Sequence, residues 1–253
     1  MGRLDDKVAV ILGASDERSI GAATARRFVS EGGKVVLAAR GLEGVQKVAE
    51  QTGGIAVACD ITNESDLANL AKTAKDNYGR VDVGVNYAGA NFHSSISDGN
   101  ANDFRKASEI HFVGPAMFFK HMAKEMTDGG SLITTSSLTV LTAQPGLSAY
   151  AGSKAATDQM VRIAAVELGG QNIRVNAIAP GLTKTAMTET YFEMEGLRRG
   201  YLKEIPLGRF STVDDIANAA LWLASDEAFI TGQVLDITGG QSLRRLPRPD
   251  EIA

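Results

Sequence analysis

The chain has 253 residues, 44% of them hydrophobic, and a formal net charge of -4. This length allows one α/β domain with a large buried core, and the acidic balance disfavours a nucleic-acid-binding face. The single cysteine, Cys59, excludes an internal disulfide and suits a reducing compartment. The apolar run at 8–12 is too short to cross a membrane, so we expect a cytoplasmic protein with neither a membrane nor a nucleic-acid partner.

Short apolar runs alternate with longer helical patterns along the chain. The predicted buried strands are 8–12, 35–39, 55–59, 81–86, 131–137, 173–179 and 233–238. Among the intervening helices, 64–79 carries Leu67, Leu70, Ala71 and Ala74 on one stripe, and 211–226 opens with a Ser/Thr cap. This alternation predicts a single α/β domain over residues 1–253, a doubly wound parallel sheet of about seven strands with helices on both faces. The tail 244–253 is interpreted as an extension of that domain.

The segment after the first strand, "GASDERSIG" at 13–21, has the character of a nucleotide-binding loop. Gly13 permits a tight turn and a close backbone approach, and a helix is predicted to begin near Ile20. The N-terminus of that helix suits a pyrophosphate, and Gly21 lets the helix pack closely on the strand. Two glycines alone are equally compatible with an ordinary strand–helix connection.

The end of the second strand bears on cofactor choice. It reads "LAAR", so Arg40 stands where an NAD-selective fold usually has an acidic residue. Arg18 lies in the first loop as a second cation, and guanidinium groups match phosphate geometry. We therefore predict NADP(H) as the cofactor; two solvated surface arginines are the alternative.

The segment 136–160 contains the candidate acid–base chemistry. Tyr150 and Lys154 are four residues apart and so share a helix face, with Ser148 as a candidate cap of that helix. A nearby ammonium favours the phenolate and lowers the pKa of a tyrosine. Such a tyrosine can exchange a proton with a carbonyl or alcohol oxygen, and Ser137, at a strand end, can donate a hydrogen bond to the same oxygen.

Several motifs together resemble those of the short-chain dehydrogenase/reductase family over nearly the whole chain. They are the loop at Gly13, "CDIT" (59–62), "NYAG" (86–89), Ser137, "YAGSK" (150–154), "APGLTKT" (179–185) and "TGQVLDITGG" (231–240). The resemblance implies a Rossmann-like fold and reversible hydride transfer between a nicotinamide cofactor and a hydroxyl or carbonyl carbon. It implies Tyr150 as acid/base, Lys154 lowering its pKa and binding the nicotinamide ribose, and Ser137 polarising the substrate oxygen.

The resemblance also implies a cofactor site, a substrate lid over 183–205 and no metal site. The cofactor-binding residues are predicted as Gly13, Ser15, Arg18, Ser19, Ile20, Arg40, Asp60, Ile61, Asn86, Ala88, Gly89, Tyr150, Lys154, Pro180, Gly181, Thr183 and Thr185. The candidate substrate residues are His93, Leu138, Gln144, Met187 and Tyr191.

The chain departs from the family pattern at three places: the lengthened first loop, Tyr87 at the second place of "NYAG", where the family usually has Asn, and His111. The loop is two residues longer than the commonest family form and resembles that of enoyl-acyl-carrier-protein reductases, with Ser19 at the place of the middle glycine. The Tyr150–Lys154 spacing is of the alcohol/ketone type, and we take it as the better indicator of the reaction.

A third departure is His111, which stands where the family has a catalytic Asn within Asn-x-x-Gly, with Gly114 correctly spaced. Imidazole can donate or accept a hydrogen bond and ordinarily titrates near neutrality, so His111 is a candidate catalytic residue. We expect His111→Asn to retain activity and to change the pH profile. The alternative is that His111 only packs within its helix.

Apolar side chains in the lid and in neighbouring loops indicate a pocket for a hydrophobic or ring-bearing small molecule. We therefore expect a carbonyl reductase that interconverts ketones and secondary alcohols. A 3-oxoacyl thioester reductase of fatty-acid type and a catalytically idle NADP-binding regulator remain as alternatives. Family members commonly form tetramers through helices near 101–126 and 150–169, so a homotetramer is expected.

Overall fold

The computed structural model describes residues 2–248 and 251, in which helices cover both faces of one parallel sheet. The strands are β1 (Val8–Leu12), β2 (Lys34–Ala39), β3 (Ile55–Ala58), β4 (Val83–Asn86), β5 (Gly130–Thr135), β6 (Ile173–Pro180) and β7 (Val234–Ile237). The helices are α1 (Ile20–Val29), α2 (Leu42–Thr52), α3 (Glu64–Tyr78), α4 (Ala101–Ser108), α5 (Gly114–Glu125), α6 (Ser148–Leu168), α7 (Glu189–Glu193), α8 (Glu195–Lys203) and α9 (Val213–Ala224).

The strand order is β3-β2-β1-β4-β5-β6-β7, with every described pairing parallel. The order reverses at β1, where Leu12 pairs with Ala38 of β2 on one side and with Asn86 of β4 on the other. A doubly wound sheet opens a crevice for ligands at such a reversal, outside the carboxyl ends of the strands. The predicted fold class is therefore confirmed, and the sheet places the loops after β1, β2 and β4 side by side.

Two buried clusters, one on each face, hold the helices against the sheet. Alternate residues of β1 point to opposite faces, so Val8, Val10 and Leu12 enter one cluster while Ala9 and Ile11 enter the other. The first cluster takes side chains from α3, α5 and α6, and the second from α1, α2 and α9. The predicted stripe of α3, Leu67, Leu70, Ala71 and Ala74, is buried in the first cluster, which confirms that prediction.

The N-terminal caps of α1 and α9 agree with the sequence pattern, whereas that of α6 does not. Ser19 caps α1 by accepting a hydrogen bond from the Ala22 N–H at 3.1 Å, and Thr212 with Asp215 forms a capping box on α9. Ser148 is not the cap of α6; it is the first helical residue, preceded by Leu147. Its hydroxyl instead donates to the carbonyl of Ser94, which ties the start of α6 to the loop after β4.

The boundaries near the predicted site differ from the sequence expectation in two further places. The strand expected over 131–137 ends at Thr135, so Ser137 lies two residues beyond it and opens a short 3-10 turn, Leu138–Val140. A π-helical turn, Glu109–Val113, interrupts the helical stretch between α4 and α5. The predicted lid contains α7 and α8, and no described helix is long and apolar enough to cross a membrane.

Candidate active site

One cleft of about 1160 Å³ lies at the carboxyl edge of the sheet, between the strand-end loops and the lid. The predicted site residues that line it are Gly13, Ser15, Ser19, Ile20, Arg40, Asp60, Ile61, Ala88, Gly89, His93, His111, Ser137, Leu138, Gln144, Tyr150, Lys154, Pro180, Gly181, Thr183, Thr185, Met187 and Tyr191. The fold therefore brings most of the predicted catalytic, cofactor and substrate residues into a single space.

The glycine-rich loop forms one end of this cleft. Gly13 has a φ of +102°, and a Cβ there would lie 2.8 Å from the carbonyl carbon of Tyr87. A Cβ on Gly21 would lie 2.5 Å from the Gly13 carbonyl oxygen, so neither position accepts a side chain without moving backbone. The loop is consequently held tight against the sheet, with the N-terminus of α1 facing the cleft, as a dinucleotide pyrophosphate requires.

The loops after β2 and β3 form the adjoining part of the cleft. The Asp60 carboxylate accepts hydrogen bonds from the Thr62 N–H at 2.9 Å and from the Thr62 hydroxyl at 2.8 Å. These bonds, aided by the charge of Arg40, lower the pKa of Asp60. Asp16 of the lengthened loop also lines this cleft, as an acidic residue that the sequence analysis did not identify.

Two predicted cofactor residues do not line the cleft. Arg18 donates from Nη1 to both carboxylate oxygens of Glu189, at 3.0 and 3.2 Å, and its Nε lies 3.5 Å from Asp16 Oδ1. Asn86 is buried beneath the cleft, where its Oδ1 accepts from the Ala88 N–H at 3.0 Å and its Nδ2 donates to Thr134 at 3.1 Å. Asn86 thus shapes the loop after β4, and Arg18 connects the glycine-rich loop to the lid.

Ser137 presents a hydroxyl proton to the centre of the cleft. Its Oγ accepts hydrogen bonds from the Thr139 N–H at 3.2 Å and from the Thr139 hydroxyl at 3.0 Å. Since both bonds use oxygen lone pairs, the Ser137 O–H remains available as a donor. Tyr150 and Lys154 face the same space from successive turns of α6.

Burial shifts the pKa values of both residues on α6. It raises the pKa of the Tyr150 phenol, opposite to the lowering expected from Lys154, and the Ser137 hydroxyl acts against this rise. Burial lowers the pKa of Lys154 to about 8, with the charge of Asp158 opposing it. The Lys154 ammonium donates to the Thr135 carbonyl at 2.8 Å and lies 6.0 Å from the Tyr150 ring centroid.

His111 lies behind Tyr150 in the π-helical turn, with only 1% of its surface exposed. Its Nε2 accepts from the Ala90 N–H at 3.2 Å, so the ring proton is on Nδ1 and is donated to Ser153 Oγ at 2.9 Å. Burial, with the nearby Lys154 charge, lowers the pKa of His111 to about 3. The expectation that this ring titrates near neutrality is therefore wrong, because the site leaves no solvation for the charged form.

The substrate end of the cleft combines apolar walls with a few polar side chains. His93 Nε2 and the Tyr191 hydroxyl are 3.0 Å apart, and the Tyr201 hydroxyl donates to Gln144 Oε1 at 3.4 Å. The apolar walls are Phe92, Leu138, Leu147, Met187, Leu197 and Leu246.

Comparison with known proteins agrees with this geometry. A family model described as "Enoyl-(Acyl carrier protein) reductase" matches residues 13–242. The 7alpha-hydroxysteroid dehydrogenase of Escherichia coli is 37% identical over 246 residues, covering 94% of this chain and 95% of that protein. A 3-oxoacyl-[acyl-carrier-protein] reductase of Thermotoga maritima is 34% identical over 248 residues, covering 94% and 98%. The chain belongs to the short-chain dehydrogenase/reductase family.

A solved structure of a family member supports the same conclusion. It is a 7 alpha-hydroxysteroid dehydrogenase complexed with NADH and 7-oxo glycochenodeoxycholic acid, and it superposes with a TM-score of 0.88 at 36% identity. The match covers 94% of this chain and 95% of that chain. Short-chain dehydrogenase/reductases are oxidoreductases that use a nicotinamide cofactor, and the tight glycine-rich loop at the N-terminus of α1 in this chain fits such a group.

Several cleft residues of this short-chain dehydrogenase/reductase were not predicted from the sequence, among them Asp16, Tyr201 and Leu246. Asp16 lies within the lengthened glycine-rich loop, so the sequence placed it near the cleft but did not show which way its side chain points. Tyr201 lies one turn of α8 beyond the apolar residues of the predicted lid. That spacing is a weak indication that its side chain faces the cleft. Leu246 belongs to the C-terminal tail, and no local sequence pattern places its side chain in the cleft. Residues 249, 250, 252 and 253 of that tail lie outside the described part of the chain.

Proposed function

We propose that this protein is an NADP(H)-dependent carbonyl reductase that interconverts a ketone and a secondary alcohol on a hydrophobic or ring-bearing small molecule. The observation that carries the proposal is the convergence of Ser137, Tyr150 and Lys154 with the glycine-rich loop in one cleft. The 3-oxoacyl thioester and idle-regulator alternatives are outcomes of the tests below.

In this proposal the chain's own residues bind the substrate oxygen and transfer its proton. The Ser137 O–H donates to the carbonyl oxygen, and Tyr150 gives that oxygen its proton during reduction and takes it back during oxidation. Lys154, whose ammonium lies 6.0 Å from the Tyr150 ring centroid, would stabilise the phenolate through its charge, and the Ser137 hydroxyl opposes the rise in the pKa of Tyr150 that burial causes. When bound, the nicotinamide cofactor supplies or accepts the hydride.

Arg40 supports NADP(H) over NAD(H). It lines the cleft directly after β2, at the position from which a carboxylate would bind ribose hydroxyls and repel a 2′-phosphate. Asp16 lines the same cleft, and its carboxylate would repel a 2′-phosphate. The solved relative was complexed with NADH, so kinetics with NADPH and NADH need direct comparison.

The apolar walls support a hydrophobic substrate. The charged side chains that line the described cleft are Asp16, Arg40, Asp60 and Lys154. The first three come from the loops after β1, β2 and β3, and Lys154 adjoins Tyr150. The substrate end therefore presents neutral groups, which suits the ring-bearing compound that the resemblance to a hydroxysteroid dehydrogenase suggests.

A ketone panel tests the catalytic assignment. We expect NADPH oxidation with cyclic ketones in the wild type and a loss of at least about a hundredfold in kcat for Tyr150→Phe. Tyr78→Phe, at a half-buried tyrosine on α3 outside the cleft, is the matched control. Turnover that survives Tyr150→Phe would reject this mechanism, turnover of an acyl-carrier thioester alone would favour the thioester alternative, and no turnover with NADPH binding would favour the regulator.

Arg40→Ala tests the cofactor assignment. We expect kcat/KM for NADPH to fall about tenfold or more relative to NADH, because the guanidinium would pair with the 2′-phosphate that NADPH alone carries. Arg105→Ala, on the exposed surface of α4, is the control for loss of a cation. A wild-type preference for NADH would overturn the NADP(H) assignment while leaving the ketone chemistry intact.

A further inference from the structure

Gln144 and Tyr201 lie in the apolar substrate end of the cleft and have no part in the chemistry proposed above. Both are partly buried, and they come from different elements, the loop before α6 and the lid helix α8. Polar side chains in an otherwise apolar pocket usually fix the orientation of a ligand.

The hydrogen bond between these two residues uses only part of their capacity. The Tyr201 hydroxyl donates to Gln144 Oε1 at 3.4 Å, which is long for a bond between two oxygens. With Oε1 turned towards Tyr201, both N–H donors of Gln144 Nε2 have no partner among the described residues. The Tyr201 oxygen also retains lone pairs that accept hydrogen bonds.

The neighbouring polar pair is a weaker candidate because it is already satisfied. His93 and Tyr191 share a hydrogen bond of 3.0 Å, so a ligand would have to compete with that contact. Gln144 and Tyr201, in contrast, offer a carboxamide with two unused donors beside a hydroxyl.

The charge of the surroundings limits what these groups can bind. Burial raises the pKa of Tyr201, which therefore remains a neutral phenol in the assay range. The charged lining residues belong to the strand-end loops after β1, β2 and β3 or to the catalytic lysine, and none comes from the lid or from the loop that carries Gln144. A carboxylate or phosphate would lose its hydration here without gaining a cation, whereas a hydroxyl or carbonyl oxygen would gain hydrogen bonds.

We infer that Gln144 and Tyr201 form a subsite for a second, neutral oxygen of the substrate, distinct from the carbonyl oxygen that Ser137 and Tyr150 hold. The inference rests on the proposed ketone chemistry and narrows its substrate to hydrophobic diketones and hydroxyketones. A site built to hydrogen-bond such an oxygen discriminates against an analogue without it, because its own polar groups are then left unpaired.

The test compares matched monoketones and diketones with NADPH as reductant. Three pairs span different distances between the two oxygens: cyclohexanone with cyclohexane-1,4-dione, 1-decalone with decalin-1,5-dione, and 5α-androstan-3-one with 5α-androstane-3,17-dione. We expect at least one diketone to exceed its monoketone about tenfold or more in kcat/KM, as one or two neutral hydrogen bonds allow. Gln144→Leu and Tyr201→Phe should each reduce the diketone-to-monoketone ratio of kcat/KM. The remaining ratio should be close to the statistical factor that comes from having two carbonyls in one molecule.

Using both Gln144→Leu and Tyr201→Phe makes the test independent of whether one variant disturbs the fold. Tyr201→Phe removes one oxygen and preserves the packing of the ring, so it answers the question even where Gln144→Leu perturbs the loop. Leu202→Met, next to Tyr201 on α8 but outside the lining of the cleft, should leave the diketone-to-monoketone ratio at the wild-type value. A ratio that is unchanged in both polar variants, or a wild type with no diketone preference, would overturn the subsite but not the ketone chemistry. Absence of any Tyr150-dependent ketone turnover would instead overturn the proposed function.

Discussion

A buried imidazole that accepts one hydrogen bond and donates another has no open position for a proton. His111 is in this state, between the Ala90 N–H and the Ser153 hydroxyl, and its ring edge packs on Tyr150 with centroids 5.2 Å apart. Ser153 in turn donates to the Tyr150 carbonyl at 2.7 Å. His111 is therefore placed to position the start of the catalytic helix rather than to carry protons.

The depressed pKa of His111 predicts a stability effect at acid pH. The pKa of His111 is about 3 in the fold, against the ordinary histidine pKa of 6.5, so the unfolded chain binds the extra proton between these limits. The contribution of His111 is thus fully present above pH 6.5 and is lost as the pH falls, at about 1.4 kcal/mol per pH unit. We expect His111→Asn to remove this part of the acid destabilisation, measured by urea unfolding at neutral pH and near pH 5.

His121→Asn is the control, since His121 contacts Glu64 at the surface of α3 rather than the catalytic helix. Retained activity in His111→Asn, with no new inflection in its pH–rate profile above pH 5, would agree with a positioning role. Equal acid destabilisation in the wild type and His111→Asn would contradict the buried neutral ring.

The sequence predicted most of the residues that meet at the site but not their protonation or hydrogen-bond partners. The positions of Ser137, Tyr150 and Lys154 follow from strand ends and helix spacing, which are local patterns. The protonation of His111 depends on its desolvation and on Ser153, forty-two positions further along the chain. Such contacts arise from packing between elements, and no periodicity within one element reports them.

At the scale of elements, the lengthened glycine-rich loop reaches the lid. Arg18 holds Glu189, the first residue of α7, and Asp16 accepts from the Arg18 N–H at 2.7 Å. Tyr191 of the same helix contacts His93 in the loop after β4. α7 is thereby attached to two strand-end loops on either side of the cleft, and the Arg18 ion pair is exposed and therefore sensitive to salt.

Glu189→Gln should loosen the lid. We expect faster amide hydrogen exchange over 189–203 in the variant, and also in the wild type at high salt, because both remove the attraction between Arg18 and α7. Glu193→Gln, at the other end of the same short helix, is the matched control, since no ion pair of Glu193 is found among the described residues. Exchange rates that match the wild type in Glu189→Gln would show that the ion pair does not hold the lid.

The bounds of the strands were predicted to within two residues at each end. The local structure of the segments that connect them was not predicted. Continuous apolar runs such as 8–12 report burial on both faces of a parallel sheet, and β1 occupies that range. Ser148 fits a cap by residue type, yet its hydroxyl is taken by the Ser94 carbonyl from a distant loop. The π-helical turn at Glu109–Val113 likewise has no signature in the helical periodicity.

At the scale of the molecule, one helical face is too apolar for a solvated surface. A hollow of about 650 Å³ runs between α5 and α6, lined by Phe112, Ala116, Phe119, Lys120, Ala123, Lys124, Ala156, Gln159, Met160, Ile163, Ala164, Glu167, Leu168 and Gln171. Ile163 is 50% exposed and Val166, one turn further, is 84% exposed. A contiguous apolar surface of this kind usually marks a protein interface, which supports the expected homotetramer.

Ile163→Glu tests whether this face joins the subunits. A carboxylate at the centre of an isologous apolar contact would face its own symmetry copy, so both desolvation and like-charge repulsion oppose assembly. We expect light scattering on a sizing column to give a tetramer for the wild type and a smaller species for the variant. Ile96→Glu, at an 82% exposed position in the loop after β4, should keep the wild-type mass. A monomeric wild type would reject the tetramer, and an unchanged mass in Ile163→Glu would place the interface on another face of the molecule.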